Sequence, residues 1–248
     1  MRPVDHVHFD TIDSTNREAL RRWTSGAVGG PLVLTADTQS AGLGRCDRVW
    51  HSPPGGVWMT VLWPYHRPAE HYSALPLAVG AAVAEAIERA YGLVCRIKWP
   101  NDVLIHDRKL AGILCQAALE PPPGAVAVGV GVNAAFPAAE LGAGLRCPPT
   151  SLFDELGVAV EPADLGGRLA DRLAETLRGY DADGLSAQLG EVRRRLAWTG
   201  RTVRAVLPGP DADLVGRLIG IDEAGHLLLE VAGQRRTVAA GELLHLQR

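Results

Sequence analysis

The run of short apolar segments between residues 94 and 132 limits the fold more than any other stretch of this sequence. Four segments rich in Val, Leu and Ile follow one another there, separated only by turns such as Trp99-Pro100-Asn101-Asp102 and His106-Asp107-Arg108. Parallel strands need a long crossover connection, whereas antiparallel strands are joined by short turns. The sequence therefore predicts an antiparallel or mixed sheet in this region instead of repeated βαβ units.

Helical segments lie on both sides of this run. Strands are also expected at residues 7–12, 31–38 and 57–63, and helices at residues 15–23, 73–91, 163–178 and 185–198, with a further helix that begins at Leu152. Thr15 and Glu18 have the spacing of a capping box at the start of the first helix. Leucines at 165, 169, 173 and 177 predict a buried stripe, and arginines at 193–195 predict a solvated face. We predict an α+β fold with a mixed, largely antiparallel sheet.

The character of the sequence changes at Gly200, after which short strands and tight turns replace the helices. Residues 203–207, 214–221, 227–231 and 236–239 are β-patterned, with turn signals such as Ala232-Gly233 between them. About fifty residues of this kind are typical of a small β-barrel. We predict a first domain at residues 1–198 and a small β-barrel domain at residues 199–248.

Charge and cysteine usage argue against several classes of protein. The formal net charge of −3 and the isoelectric point near 6.2 are unlike those of a general nucleic-acid binder, which carries a basic excess. No window approaches a membrane span, and the N-terminus has no apolar signal segment. Four scattered cysteines without metal-ligand spacing are expected to be free thiols in a reducing compartment. We predict a cytoplasmic protein that binds neither nucleic acid nor membranes.

The segment from Arg96 to Leu114 concentrates charge inside apolar sequence. Lys98, Asp102 and Lys109 occur there with little polar sequence between them. Burial of such groups costs free energy unless they are paired or meet a charged ligand. The segment predicts a site for an anionic ligand, although Asp102 alone would also fit an unpaired carboxylate in a surface turn.

A glycine-rich loop between two predicted strands supplies further cations. Residues 39–50 contain Gly42 and Gly44, then Arg45 and Arg48, and end at Trp50. Glycine N–H groups approach bound anions closely, and arginine offers paired donors that suit a carboxylate or a phosphate. A loop of this length is usually functional. Zinc-protease, Walker and hydrolase motifs are absent from the sequence, so we predict no metal ligands and a site where two anions meet.

Five motifs together resemble those of biotin protein ligases. They are Asp13-Ser14-Thr15-Asn16, the loop from Gln39 to Trp50, Lys98-Trp99-Pro100-Asn101-Asp102, Arg108-Lys109-Leu110-Ala111-Gly112-Ile113-Leu114 and Gly129-Val130-Gly131-Val132-Asn133, in the order of that family. The resemblance implies a class II synthetase-like catalytic domain followed by an SH3-like β-barrel. It also implies an ATP-dependent ligase that, with Mg²⁺, activates biotin as biotinyl-5'-AMP. The biotinyl group would then pass to a lysine of the biotin carboxyl carrier domain of a biotin-dependent carboxylase.

The resemblance also assigns roles to residues one by one. Lys109 is expected to bridge the biotin carboxylate and the α-phosphate, Arg45 to hold phosphate as the loop closes, and Asp102 to accept a proton from the incoming amine or to orient it. Contacts to biotin are expected from Ser14, Thr15, Gln39, Gly42, Gly112 and Gly131. Contacts to the nucleotide are expected from Arg45, Arg48, Trp50, Asn101 and Asn133, with Trp50 stacked on adenine. Lys98 fits a structural ion pair as well as a part in the reaction.

Three loop positions depart from the family pattern. Leu43 replaces an arginine, and Cys46 and Asp47 replace a more basic or glycine-containing pair. Asp47 also tolerates a positive φ less well than glycine. We therefore expect this loop to hold the adenylate more weakly than a fully basic loop does.

Two other functions stay open on the residues alone. A lipoate–protein ligase or related acyl transferase uses the same activated-carboxylate chemistry, and a non-catalytic biotin-binding module needs the same pocket without turnover. Because the family motifs begin near Val7, we expect a monofunctional ligase without an operator-binding domain. We expect it to be a monomer or a weak homodimer.

Overall fold

The structure, a computed structural model, describes residues 4–67, 69–118, 124–142, 145–209 and 213–246. These ranges contain twelve strands, which form two β-sheets, and five α-helices. The strands are β1 Asp5–Ile12, β2 Leu32–Gln39, β3 Val57–Tyr65, β4 Arg96–Lys98, β5 Asp102–Ile105, β6 Arg108–Ala118, β7 Gly124–Val132, β8 Thr202–Val206, β9 Leu214–Ile221, β10 Leu227–Val231, β11 Gln234–Val238 and β12 Glu242–His245. The helices are α1 Thr15–Thr24, α2 Leu75–Tyr91, α3 Leu152–Leu156, α4 Pro162–Asp183 and α5 Ser186–Arg195, with short 3₁₀ helices at Ala69–Ala74 and Ala138–Leu141.

The larger sheet has seven strands in the order β1-β2-β3-β7-β6-β5-β4. Its β1–β2 pair is parallel, and the other five pairs are antiparallel. The strands between residues 94 and 132 are neighbours on one side of this sheet, as their short connections predict. The α+β class with a mixed, largely antiparallel sheet is confirmed.

Alternating side chains direct the two faces of the sheet towards different helices. Leu32, Leu34 and Leu62 face a smaller apolar cluster that includes Ala19 of α1. The intervening Val33 faces the main core, to which α2 and α4 contribute. Because α1 covers only part of its face of the sheet, the strand ends beyond its N-terminus are available to form a site.

The predicted capping box, with Thr15 as the N-cap, is wrong, because the first helix begins one residue earlier. Its N-cap is Ser14, whose hydroxyl accepts a hydrogen bond from the N–H of Arg17 at 3.5 Å. Glu18 pairs instead with Arg21 and Arg22 at 2.8 Å. The Thr15 hydroxyl is therefore free of capping and points towards β2 and β3.

The remaining helices follow the sequence pattern with one clear exception. The leucine stripe of α4 is buried as predicted. Arg195, which was predicted to be solvated, is 2% exposed and lies 2.8 Å from Glu88 of α2 and 3.4 Å from Glu191. The last turn of α5 packs on α2, so the buried guanidinium group of Arg195 needs a partner, which Glu88 provides. None of the helices in the described ranges is long and apolar enough to cross a membrane.

The smaller sheet is formed by the C-terminal strands in the order β11-β10-β9-β8-β12, and every pair is antiparallel. The predicted C-terminal β-domain is confirmed, although the sequence did not predict β12. Within the described residues the ladder runs from β11 to β12 without closing on itself. The division at residues 198 and 199 stays a prediction.

The C-terminal sheet lies directly against the charged end of the larger sheet. Trp99 donates a hydrogen bond from Nε1 to the carbonyl of Gly225 at 3.0 Å. Trp198 stacks on His245, with 5.2 Å between ring centroids, and donates to the Asp107 carboxylate at 2.8 Å. Residues of β12 therefore reach the region where Lys98 and Asp102 lie.

Candidate active site

A cavity of about 570 Å³ opens beyond the N-terminus of α1, on the face of the seven-stranded sheet that α1 covers in part. All of the predicted site residues line this cavity except Gly42. The carbonyl of Gly42 accepts a hydrogen bond from the backbone N–H of Trp50 at 2.9 Å. Motifs that are far apart in the sequence thus meet at one place.

Part of the cavity floor belongs to one row of cross-strand neighbours, which begins at the buried Trp58 outside the cavity lining. Trp58 of β3 pairs with Gly131 of β7, Gly131 with Gly112 of β6, Gly112 with Asp102 of β5, and Asp102 with Lys98 of β4. Directly opposed residues in antiparallel strands share one face of the sheet. The row therefore runs from an aromatic ring over bare backbone to a carboxylate and an ammonium group.

A β-bulge adds Lys109 to this row. The register of β5 against β6 shifts after Val103, so that Val103 pairs with Ala111 whereas Leu104 pairs with Lys109. Leu110 is the extra residue, and it turns the Lys109 side chain to the face that Gly112 and Asp102 share. The backbone around the bulge bonds elsewhere: the Lys109 N–H donates to Pro148 at 2.7 Å, and the Asn133 N–H donates to Leu110 at 3.0 Å.

Asp102 is a buried carboxylate held between two lysines. Its oxygens lie 2.7 Å from Nζ of Lys109 and 3.3 Å from Nζ of Lys98. Burial by itself would raise the pKa of Asp102, but the charges of Lys109 and Lys98 outweigh it and hold the pKa below the ordinary value. Asp102 is therefore a paired anion and not the unpaired surface carboxylate that the sequence left open. These two lysines are the only ones among the 248 residues.

The indole of Trp50 lies on the two glycines of the floor. A Cβ on Gly131 would come within 2.5 Å of the indole nitrogen, and a Cβ on Gly112 within 2.8 Å of the ring. Nζ of Lys109 lies 5.0 Å from the centre of the ring, within reach of a cation–π contact. Among the described residues the buried Nε1 of Trp50 has no hydrogen-bond partner. The structure thus places Trp50 beside residues that were assigned to biotin.

A hydrogen-bonded polar cluster closes the end of the cavity near α1. Gln39 Oε1 accepts from the Thr15 N–H at 2.9 Å and from its hydroxyl at 3.2 Å. Asn16, for which no role of its own was predicted, donates to the carbonyl of Leu114 at 3.1 Å, and its Oδ1 lies 2.6 Å from the hydroxyl of Thr60. Its place in the Asp13-Ser14-Thr15-Asn16 motif was the available signal.

Two asparagines line the opposite part of the cavity. Asn133 donates from Nδ2 to the carbonyl of Thr150 at 2.9 Å, while its buried Oδ1 has no partner among the described residues. Asn101 donates from Nδ2 to the carbonyl of Ile113 at 2.9 Å and accepts from Arg45 at 3.2 Å. A buried acceptor without a partner is costly, so Asn133 Oδ1 is suited to a ligand N–H group.

The glycine loop folds as a hairpin over the cavity. Leu43 and Val49 form a bridge, and the Gly44 N–H donates to Arg48 at 2.7 Å. The turn at its tip has both central residues in the left-handed region, with φ values of 53° at Cys46 and 56° at Asp47. These angles define a tight turn that favours glycine or asparagine.

The arginines of the hairpin are held by the start of β12. Arg45 donates to the carbonyl of Gly241 at 3.3 Å, and Arg48 lies 3.3 Å from the Glu242 carboxylate. Lys98 and Arg146 also contact Glu242, at 3.6 Å and 3.1 Å. Sequence reasoning missed Glu242 and Arg146, since nothing in the pattern of residues 242–246 indicates that they approach residue 98.

The chain belongs to the biotin/lipoate A/B protein ligase family, which residues 8–133 match. Residues 199–246 match the biotin protein ligase C-terminal domain. Within this family the similarity is to biotin ligases. A biotin–[acetyl-CoA-carboxylase] ligase from Paracoccus denitrificans is 35% identical over 242 residues, which cover 93% of this chain and 96% of that protein. The enzyme of the same name from Mycobacterium tuberculosis is 34% identical over 242 residues, covering 94% and 86%.

A solved structure agrees with this assignment at the level of the fold. The biotin protein ligase from Aquifex aeolicus in complex with biotin and ATP has a TM-score of 0.80 and 24% identity, and the match covers 96% of this chain and 97% of that one. The predicted membership of the biotin protein ligases is confirmed, and biotin ligase function is supported over the lipoate ligase and the non-catalytic module.

Proposed function

We propose that this ligase activates biotin with ATP and transfers it to a carrier lysine in one cavity, and the position of Lys109 carries the proposal. Its side chain lies beside Gly112, and its ammonium group shares the Asp102 carboxylate with Lys98. A cation there can contact a carboxylate bound beside the glycines and a phosphate bound beside Lys98 at the same time.

In the first step an oxygen of the biotin carboxylate attacks the α-phosphorus of ATP, and the bond to the β-phosphate oxygen breaks to release pyrophosphate. Two unit anions about 4 Å apart repel by roughly 4 kcal/mol at an effective dielectric of 20. Lys109 offsets this repulsion where the new bond forms. Asp102 holds the ammonium in place at 2.7 Å, so that little reorganisation is needed as charge develops on the phosphate.

The end of the cavity near α1 suits the polar ring of biotin. Ser14 Oγ accepts from the backbone, which leaves its O–H free to donate to a ureido carbonyl. Thr15 and Gln39 hold each other in place next to it. Trp50, whose indole lies on Gly112 and Gly131, would then contact the apolar part of biotin. This arrangement supports a biotin contact for Trp50 more than the expected stacking on adenine.

The opposite part of the cavity suits the nucleotide. The Oδ1 of Asn133, which has no partner in the described part of the chain, fits the exocyclic amine of adenine, which is a donor and would satisfy a buried acceptor. Asn101 holds Arg45 at the mouth of the cavity. Arg45, Arg48 and Lys98 would bind the phosphates.

In the second step the carrier lysine amine attacks the acyl carbon of biotinyl-5'-AMP, the bond to the phosphate oxygen breaks, and AMP leaves as the amide forms and its extra proton is lost. Asp102 was expected to accept that proton or to orient the amine. Its lowered pKa makes it a weak base, so the orienting role is better supported.

Magnesium is expected to enter as its complex with ATP. The carboxylates that line the cavity in the described residues, Asp102 and Glu242, are each paired with cations. Magnesium at nucleotide sites is bound by phosphate oxygens and water with few protein carboxylates, which fits this lining. When bound it would shield phosphate charge.

The expected acceptor is the biotin carboxyl carrier domain of a biotin-dependent carboxylase. The names of the two relatives, which specify ligation to acetyl-CoA carboxylase, support this class of partner. Cytoplasmic location and the oligomeric state stay predictions.

The proposed function is tested by incubation of the protein with biotin, Mg·ATP and a purified carrier domain, followed by detection of protein-bound biotin. A parallel reaction contains lipoate in place of biotin. We expect biotin-dependent pyrophosphate release without the carrier and biotinylated carrier in the full mixture. Biotin binding without pyrophosphate release would contradict the proposal, and so would preferential transfer of lipoate.

A further inference from the structure

Two consecutive residues of the C-terminal domain offer oxygen atoms to the cations of the proposed phosphate site. The Gly241 carbonyl accepts from Arg45, and the Glu242 carboxylate contacts Arg48, Lys98 and Arg146. These cations come from the loop, from β4 and from the segment before α3, and Glu242 joins all three segments.

The Glu242 carboxylate is a strongly engaged anion. Its side chain is 15% exposed, and the three cations lie between 3.1 and 3.6 Å from its oxygens. Burial alone would raise the pKa of Glu242, but the charges of Lys98, Arg48 and Arg146 outweigh this effect and hold the pKa below its ordinary value. The group is therefore ionised. Lys98 and Lys109 share the single charge of Asp102, and Glu242 is the second carboxylate, shared by Lys98 and the two outer arginines.

A polyphosphate that uses these cations has to meet the same carboxylate. Either the carboxylate moves away, or it remains beside phosphate oxygens of like charge, and both cost binding free energy. The rotatable side chain of Glu242 and the exposed position of Arg146 and Arg48, at 64% and 42%, make displacement the easier route.

We propose that Glu242 is an internal competitor of the polyphosphate: it holds Lys98, Arg48 and Arg146 until ATP displaces it, and it takes them back as pyrophosphate leaves. The inference rests on the proposed function for its place in the reaction. It gives the C-terminal domain a specific part in the active site, namely to weaken polyphosphate binding and to favour product release.

The test is calorimetric binding of inorganic pyrophosphate, at low ionic strength and without biotin, to the full-length wild type, Glu242→Gln and Glu230→Gln. Glu230→Gln removes the same charge from the same domain but touches Arg217, away from the cavity. We expect pyrophosphate to bind roughly three- to tenfold more tightly to Glu242→Gln, the scale of a partly buried ion pair, and unchanged to Glu230→Gln. In turnover assays the KM for ATP should fall and inhibition by pyrophosphate should become stronger.

Equal or weaker pyrophosphate binding by a folded Glu242→Gln protein would overturn the inference, because it would mean that the carboxylate only positions the cations. If Glu242→Gln melts well below the wild type, Glu242→Asp keeps the charge on a side chain shorter by one methylene and should show a smaller tightening. Since biotin is absent from the calorimeter, tightening together with failed adenylation would reject the proposed function and leave this inference standing.

Discussion

The ammonium of Lys109 lies 2.7 Å from the carboxylate of Asp102, although regular strand alternation would place the two on opposite faces of the sheet. The bulge at Leu110 brings them together. Two charged groups that a regular hairpin would separate are thus paired by one additional residue, and the site depends on the register of β5 and β6.

Replacement of Lys109 by alanine should abolish most adenylate formation. It removes the cation that offsets the repulsion between carboxylate and phosphate, and losses of one such group are on the order of 10²–10³ in rate. Single-turnover formation of biotinyl-5'-AMP measures the effect. Arg96→Ala, an exposed cation on neighbouring β4, is the control and should keep the wild-type rate. Full activity in Lys109→Ala would remove the assigned role.

Asp102→Asn should lower the free energy of unfolding at neutral pH by about 3 kcal/mol, since it leaves two cations without their buried partner. The pKa of Asp102 is depressed in the fold, so its stabilisation is present above the ordinary value of 3.8 and is lost as the pH falls through the lower folded value. The difference between wild type and Asp102→Asn in urea unfolding should therefore be constant between pH about 5 and 8 and shrink below about 4. A difference that grew on acidification would contradict the pairing.

Gly131→Ala should impair biotin binding while the fold survives. The added Cβ would lie 2.5 Å from the indole nitrogen of Trp50, which has to move into the cavity. Overpacking costs about 1–3 kcal/mol, so the KM for biotin should rise on the order of tenfold or more. Gly167→Ala is the matched control, because nothing lies within 4 Å of a Cβ there and the residue is on an exposed helix face. A normal KM in Gly131→Ala would place biotin elsewhere.

Leu43→Arg should slow release of the adenylate. Leu43 lines the cavity in the hairpin, where an arginine side chain would add a cation near the phosphate. We expect an off-rate about fivefold lower, which is about 1 kcal/mol and within the range of a partly exposed charge pair. Leu43→Gln controls for side-chain length, and off-rates equal to the wild type in Leu43→Arg would refute the expectation of weak retention.

Asp47→Gly should stabilise the hairpin tip. Asp47 has φ of 56°, a conformation that costs an L-residue roughly 1–2 kcal/mol and glycine little. Asp47→Ala removes the charge but keeps a Cβ, and so separates charge from backbone strain. Thermal unfolding should rank Asp47→Gly above Asp47→Ala, and the reverse order would argue against strain at this turn.

Much of the architecture could be predicted because its causes are local. Short turns between residues 94 and 132 require antiparallel pairing, and the leucine stripe of α4 requires burial. The meeting of the Ser14, Gln39, Lys98 and Gly131 motifs was expected from their resemblance to a known family. Their contacts with particular ligand atoms stay predictions.

The rest depended on contacts between distant residues. The bulge at Leu110 depends on how β6 pairs with β5. The alternation of apolar and polar residues within β6 alone does not predict it. Glu242 reaches Lys98 only because the C-terminal sheet docks beside β4. Arg195 is buried because α5 packs on α2, whereas Arg193 and Arg194 just before it are exposed.

The pairing of both lysines, Lys98 and Lys109, with Asp102 inside the cavity has a chemical consequence. An acyl adenylate that leaves the cavity acylates free amines, whereas the guanidinium groups of the arginines do not react in this way. The enzyme therefore presents no side-chain amine to its own released intermediate outside the active site. A loop that releases the adenylate readily would label neighbouring proteins and leave the side chains of the enzyme itself unmarked.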